Sequence, residues 1–293
     1  MGALPLLDER DEVMGPSKIL AFAGAAAALI TTTAAIAADF PAARPQQIAT
    51  ESSGWYLRGD IGVGIQHFKS FDFTQTAGGA WPASWRIDQK DLKDTFFLAA
   101  GIGYAWNNWL RVDVTGEYRA AAKFKAVGIY FNGVERGFDI YDGDHAAAVF
   151  LLNAYVDLGT WWSITPFIGA GVGGAYHMVS ALSDTGINTD GFGASSLRYA
   201  DKDHANWAFA WAAHAGVAYT VTNGFKVELA YRYLNMGSAQ TAEVLCGAAG
   251  CGVGGAPRAY YHLRTIDSHD IKLGVRWLLQ PEPVYQPPLM RRG

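Results

Sequence analysis

Residues 225–234 read Phe-Lys-Val-Glu-Leu-Ala-Tyr-Arg-Tyr-Leu, with Phe225, Val227, Leu229, Tyr231 and Tyr233 on one parity and Lys226, Glu228 and Arg232 on the other. A period of two becomes two opposite faces only in a strand. A soluble sandwich would turn the apolar face to a core. This chain repeats the pattern in about eight segments and has almost no helical sequence to cover those faces. Lipid supplies the cover instead: in a membrane-spanning barrel the apolar residues meet acyl chains and the charged ones fill the lumen, which accounts for both faces at once.

The segments lie near 55–68, 95–106, 109–119, 145–159, 164–177, 206–220, 225–234 and 269–278. The expected fold class is all-β, an eight-stranded antiparallel up-and-down transmembrane β-barrel. Three connections are short: Asn107-Asn108, residues 160–163, and residues 221–224 with their Asn223-Gly224 turn pair. The four others are long, roughly 20–35 residues against a usual connection of about 4–6. Alternation of long and short predicts short periplasmic turns and long extracellular loops. Trp106, Trp109, Trp161 and Trp162 flank the short turns, where amphipathic rings favour the headgroup layer.

Of the 293 residues, 50% are hydrophobic and 13% aromatic, and the net charge of −4 lacks the basic excess of a nucleic-acid binder. A mean hydropathy of +0.05 fits apolar residues spread by alternation instead of collected into spanning helices. The one continuous apolar run, residues 19–37, follows Lys18 and ends in Ala35-Ile36-Ala37, a small-x-small pattern that signal peptidase cleaves after. A transmembrane anchor is the alternative reading of that run. Residues 1–37 are therefore expected to be upstream residues and a cleaved signal, with the cut between Ala37 and Ala38. Met14 is the expected start, because the acidic cluster Asp8, Glu9, Asp11 and Glu12 stands where a signal should be basic. Residues 38–53 read as a flexible periplasmic leader, 54–279 as the barrel, and 280–293 as a proline-rich tail.

Alternation assigns Arg58, Asp60, Arg111, Asp113, Glu117, Arg119, Asp157, Lys226, Glu228, Arg232, Asp270, Lys272 and Arg276 to the lumen. Both signs are present, and an eight-stranded barrel is only wide enough for side chains to fill, so an ion-paired network without a wide pore is expected. A narrow conduit for small solutes or ions is the alternative. Gly169-x-Gly171-x-Gly173 sits within an alternating segment with no helix after it, which favours room for neighbouring side chains over phosphate binding. The histidines show no metal-ligand spacing, and only His214 falls inward in mid-strand, where a hydrogen-bonded structural role is expected. A lipid-modifying or peptide-cleaving enzyme would draw on His177, Ser180, Asp201, Asp203 and His204, yet no spacing singles these out. The expectation is a protein with no catalytic site, metal or cofactor. Cys246 and Cys251 share one extracellular loop in an oxidising compartment, which predicts a local disulfide.

Several stretches carry a resemblance. The signal followed by Ala38-Asp39-Phe40-Pro41-Ala42, the opening 54–62 (Gly-Trp-Tyr-Leu-Arg-Gly-Asp-Ile-Gly), the late Tyr231-Arg232-Tyr233 and the closing 270–277 (Asp-Ile-Lys-Leu-Gly-Val-Arg-Trp) resemble the small porin-like outer-membrane β-barrel proteins of α-proteobacteria. The similarity spans residues 38–279 and rests on patterns, not on a catalytic signature. It implies a surface antigen in the outer membrane of a Gram-negative bacterium, tied to envelope integrity and to contact with host or matrix. The implied partners are outer-membrane lipid and lipopolysaccharide, the barrel assembly machinery, and host or matrix surface ligands reached through the loops. Members usually end on an aromatic residue that signals assembly, whereas Gln280–Gly293 extends past Trp277 here. A soluble lipocalin-like barrel is the remaining alternative, and it would need a polar outer face.

Overall fold

The computed structural model describes residues 53–77, 84–131, 136–188, 196–200, 202–246 and 258–279. They form twelve strands: β1 Gly54–Ala77, β2 Arg86–Leu92, β3 Thr95–Ala105, β4 Leu110–Phe131, β5 Arg136–Asp157, β6 Ile164–Asn188, β7 Ser196–Ala200, β8 His204–Thr222, β9 Phe225–Asn235, β10 Ala239–Gln240, β11 Val244–Cys246 and β12 Arg258–Leu278. Eight of them close a ring of antiparallel ladders in the order β1, β3, β4, β5, β6, β8, β9, β12 and back to β1. Closure removes every edge at membrane depth, as a bilayer requires.

The opening motif shows how sequence sets the facing. On β9, Glu228, Ala230, Arg232 and Leu234 are buried, whereas Leu229 and Tyr231 are 53% and 45% exposed. Leu229 lies opposite Val217 of β8 and Leu273 of β12, both also exposed. This is the inverse of a soluble protein: the apolar band is on the outside. A belt of exposed aromatics bounds it on the short-turn side at Trp106, Trp109, Trp161 and Trp162, and on the other side at Tyr118, Trp207 and Tyr231.

Beyond that second belt the strands do not stop. The long connections expected over 69–94, 120–144 and 178–205 are largely strand among the described residues: β1 reaches Ala77, β4 reaches Phe131, β5 begins at Arg136 and β6 reaches Asn188. The reason is a change in polarity and in phase. Below the junction apolar residues point out; above it Lys69, Lys123, Lys125 and Arg264 point out, while Phe71, Phe124 and Leu263 point in. The phase slips where this happens. The β4–β5 register shifts between Arg119 and Ala122, and the β5–β6 register shifts between Asp142 and Asp144, opposite Ala181 with φ 52°. On β12, Thr265 takes φ 53°, a left-handed conformation that a β-branched residue rarely adopts. Ile266 and Leu263 consequently both face inward on either side of it. Such kinks re-aim the strands so that a lipid-facing wall becomes a water-facing one.

The upper part, here called the crown, has its own core. Phe68, Phe71, Leu92, Phe124, Tyr141, Leu182, Met236, Tyr261, Leu263 and Ile266 are all buried there. Phe71 stacks on Tyr261 at 5.3 Å and meets Tyr141 at 5.0 Å. Burying each such side chain stabilises by about 1.5–3 kcal/mol, so the crown is a folded continuation of the barrel.

Candidate functional site: the filled lumen and the crown

The membrane-level lumen holds two clusters of buried charge. In the lower one Arg58 reaches Asp113 at 2.7 Å and Asp60 at 2.9 Å, with Glu228 at 3.5 Å. Arg111 bonds Asp157 at 3.1 Å, Arg276 Nε lies 3.1 Å from Glu228 Oε1 as a charge pair without a hydrogen bond, and Lys272 lies 3.7 Å from Asp60. Four cations thus face four anions. In the upper cluster Arg119 meets Glu117 at 2.8 Å and Asp270 at 2.9 Å, and Arg232 meets Glu117 at 2.8 Å and Asp270 at 2.5 Å. Two cations face two anions there, so each level is neutral by itself. Lys226 is half-buried at the periplasmic mouth, beside Tyr56 and Arg276.

Buried charge is expensive unless geometry and further hydrogen bonds compensate it. Both are present. Arg58 also donates to the Tyr155 hydroxyl at 3.0 Å, and Arg119 to Ser268 Oγ at 2.7 Å. Arg111 lies over the Tyr155 and Phe167 rings at 4.1 and 4.7 Å, and Arg119 and Arg232 flank Phe97 at 4.9 and 5.0 Å. Small residues opposite make the space. A Cβ on Gly64 would fall 2.1 Å from Arg119 Nη2, one on Gly169 would fall 2.4 Å from the Tyr155 ring, and one on Gly171 would fall 2.1 Å from Asn153 Oδ1.

His214 is buried and bonds Asn153 Oδ1 at 3.2 Å, while Asn153 donates to Asp113 at 2.8 Å. His214 is not the only inward histidine. His145 and His177 are fully enclosed at the junction of the ionic lumen and the apolar crown, with His145 Nε2 2.9 Å from His177 Nδ1. His177 Nε2 lies 2.8 Å from the Met236 carbonyl, which can only accept. Nε2 therefore carries the proton, and in the neutral ring Nδ1 accepts from His145. The two histidines are 32 residues apart on adjacent strands, so only the register brings them together. His177 is thus engaged by His145 and Met236, not by Ser180, while Asp203 is exposed and His204 half-buried at the start of β8. Among the described residues no group of three or more His, Cys, Asp or Glu could hold a metal. Ala37, Ala38, Asp201, Cys251 and the tail 280–293 lie outside the described residues, and with them the cleavage and disulfide expectations. The Cys246 backbone pairs with Arg198.

Above the lumen the crown presents its outer face to solvent. Cross-strand register lines up Ile129, Phe138 and Ile187 in one row and Val127, Ile140 and Thr185 in the next. Phe131, Ile140 and Tyr199 are 47%, 37% and 46% exposed on the crown.

The profile of the outer membrane protein beta-barrel domain matches residues 23–277. An uncharacterised protein of Brucella abortus is 32% identical over 207 residues, 63% of this chain and 68% of that protein. A Rickettsia prowazekii protein provisionally named an adhesin is 28% identical over 227 residues, 76% of this chain and 86% of that protein. Among solved structures, the outer membrane protein OprG from Pseudomonas aeruginosa is similar, with a TM-score of 0.46 at 17% identity over 79% of this chain and 99% of that one.

Proposed function

Because the chain belongs to the outer membrane β-barrel domain family and so resides in the outer membrane of a Gram-negative cell, we propose that it is a non-enzymatic surface protein. Its crown contacts ligands on host cells or matrix, and its closed barrel supports the envelope. One observation carries this reading: the lumen is filled at two heights, by neutral ion-paired clusters at membrane level and by an aromatic core above them. A barrel filled in this way is a pedestal, and its accessible chemistry is on the crown.

Three further points support it. Exposed apolar residues on an extracellular surface, such as Phe131 and Ile140, are costly in water and fit a contact surface. The Rickettsia relative carries the name of an adhesin. Among the described residues, His177 is sealed under the crown, away from solvent, and bonds His145 and the Met236 carbonyl instead of a hydrolytic partner. Lipid and lipopolysaccharide surround the apolar belt in this reading. The barrel assembly machinery would use the exposed end of β12, where Trp277 is 62% exposed.

The test reconstitutes the protein in vesicles and measures attachment to host-cell monolayers and matrix-coated plates. The comparison is a variant carrying Phe131→Ser, Ile140→Ser and Tyr199→Ser. The reading expects the variant to fold normally and attach much less; equal attachment removes the crown as the contact surface.

A further inference from the structure

The crown wall has a seam. β3 pairs with β1 up to Thr95 opposite Gly64, and above that point the same run of chain, now β2, keeps its ladder with β4 alone. β1 continues to Ala77 paired with β12 on its far side. Among the described residues no ladder joins β1 to β2, so two strand edges face each other across a notch. Side chains bridge it. Gln66 Nε2 donates to the Lys93 carbonyl at 3.3 Å, and Lys90 Nζ donates to the Lys69 carbonyl. Each edge thus has a carbonyl satisfied by a side chain from across the gap.

Lys90 marks how open this seam is. Its register partner Ala126 is buried on the inner face of the crown, yet Lys90 itself is exposed and lies 6.0 Å from the Phe68 ring centroid. A residue on an inner face meets solvent only where the wall beside it is unclosed. Phe68, Phe71 and Leu92 lie directly behind it, each 4% exposed.

We propose that this seam is a strand-addition site, where an extended peptide segment of an extracellular protein pairs with the β1 edge over residues 66–72. The guest displaces Lys90 and lays alternate apolar side chains on Phe68, Phe71 and Leu92. Backbone N–H and C=O groups on a strand edge are satisfied by another strand, whereas an acyl chain would leave them unpaired. Neighbouring strands stand about 4.8 Å apart, so a guest between the two edges needs roughly 10 Å, and its entry releases the Lys90 and Gln66 bridges and the 4.8 Å contact between Phe73 and Trp85. The site rests on the surface-contact reading only in that its occupant comes from outside the cell.

The probe is a fluorescein-labelled nonapeptide, Thr-Val-Lys-Val-Thr-Val-Lys-Val-Thr, titrated against the full chain in nanodiscs by fluorescence anisotropy. Its control is the same peptide N-methylated at alternate residues, which keeps the side chains but removes the edge-facing donors. The parent peptide is expected to bind, the methylated one not to bind, and Lys90→Ala to bind the parent several-fold more tightly. Lys69→Cys with Lys90→Cys, joined by a short bis-maleimide, should abolish binding, and separately capped cysteines should retain it. Equal binding of the methylated peptide, unimpaired binding to the joined variant, or no binding by either the native chain or Lys90→Ala would overturn strand addition. Host-cell attachment by a protein that binds no peptide would remove this site while leaving the surface-contact function standing.

Discussion

Arg232→Met probes whether neutrality at each lumen level holds the barrel together. The guanidinium is 4% exposed, meets Glu117 at 2.8 Å, donates to Asp270 at 2.8 Å through Nε and 2.5 Å through Nη2, and lies 5.0 Å from the Phe97 ring. Methionine fills comparable volume, so the main loss is charge: Glu117 and Asp270 would face Arg119 alone. Removing one partner of a buried ion cluster costs about 3–5 kcal/mol, because the remaining charge stays desolvated. Adding Glu117→Gln in the same chain restores one cation to one anion and should recover about 1.5–3 kcal/mol, the value of a hydrogen bond to a charged group. The assay is reversible urea unfolding in phospholipid vesicles, followed by tryptophan fluorescence, for the native chain, both single variants and the double. A single Met variant within about 1 kcal/mol of native, or a double variant no better than Arg232→Met, refutes the reasoning.

Two other perturbations test facing and the crown. Leu229→Arg places a charge between Val217 and Leu273 on the lipid face and should cost about 2–4 kcal/mol and impair heat-modifiable folding, whereas Lys226→Arg should not; equal folding of the two would invert the facing. His262, on the crown and 3.0 Å from Thr74 Oγ1, has its pKa held below the ordinary value by partial burial and then by Arg264. The folded crown therefore favours the neutral ring, and this contribution is complete above the unfolded pKa of about 6.5 and lost as pH falls below it. Amide exchange in β12, corrected for intrinsic rates, should quicken on acidification in the native chain and less so in His262→Gln, and identical profiles would exclude His262 as the source.

The membrane part of this fold was legible because one pattern serves it throughout: the parity that exposes Leu229 also exposes Ile271, Leu273 and Val275 on β12. The crown was not, because its strands carry the opposite pattern and start out of phase. Phe68 and Phe71 both face inward, as do Arg119 and Ala122, and a reader following strict alternation loses the strand at those points. Polarity inversion is a signal that could have found it: Phe71, Phe124 and Tyr141 alternate with Lys69, Lys125 and Asp142 once the slip is allowed. The lumen shows a different limit. Alternation names the face of Arg58 or Glu228, but partners such as Asp113, 55 residues away, follow only from barrel closure. The His145–His177 pair was missed for the same reason.

Planar-bilayer conductance tests the central claim, a barrel closed by charge below and aromatic packing above, most directly. The intact protein is expected to insert and show no persistent porin-sized current at neutral pH. Steady, porin-sized channels from correctly folded, heat-modifiable protein would contradict the filled lumen and with it the pedestal on which the crown is proposed to act.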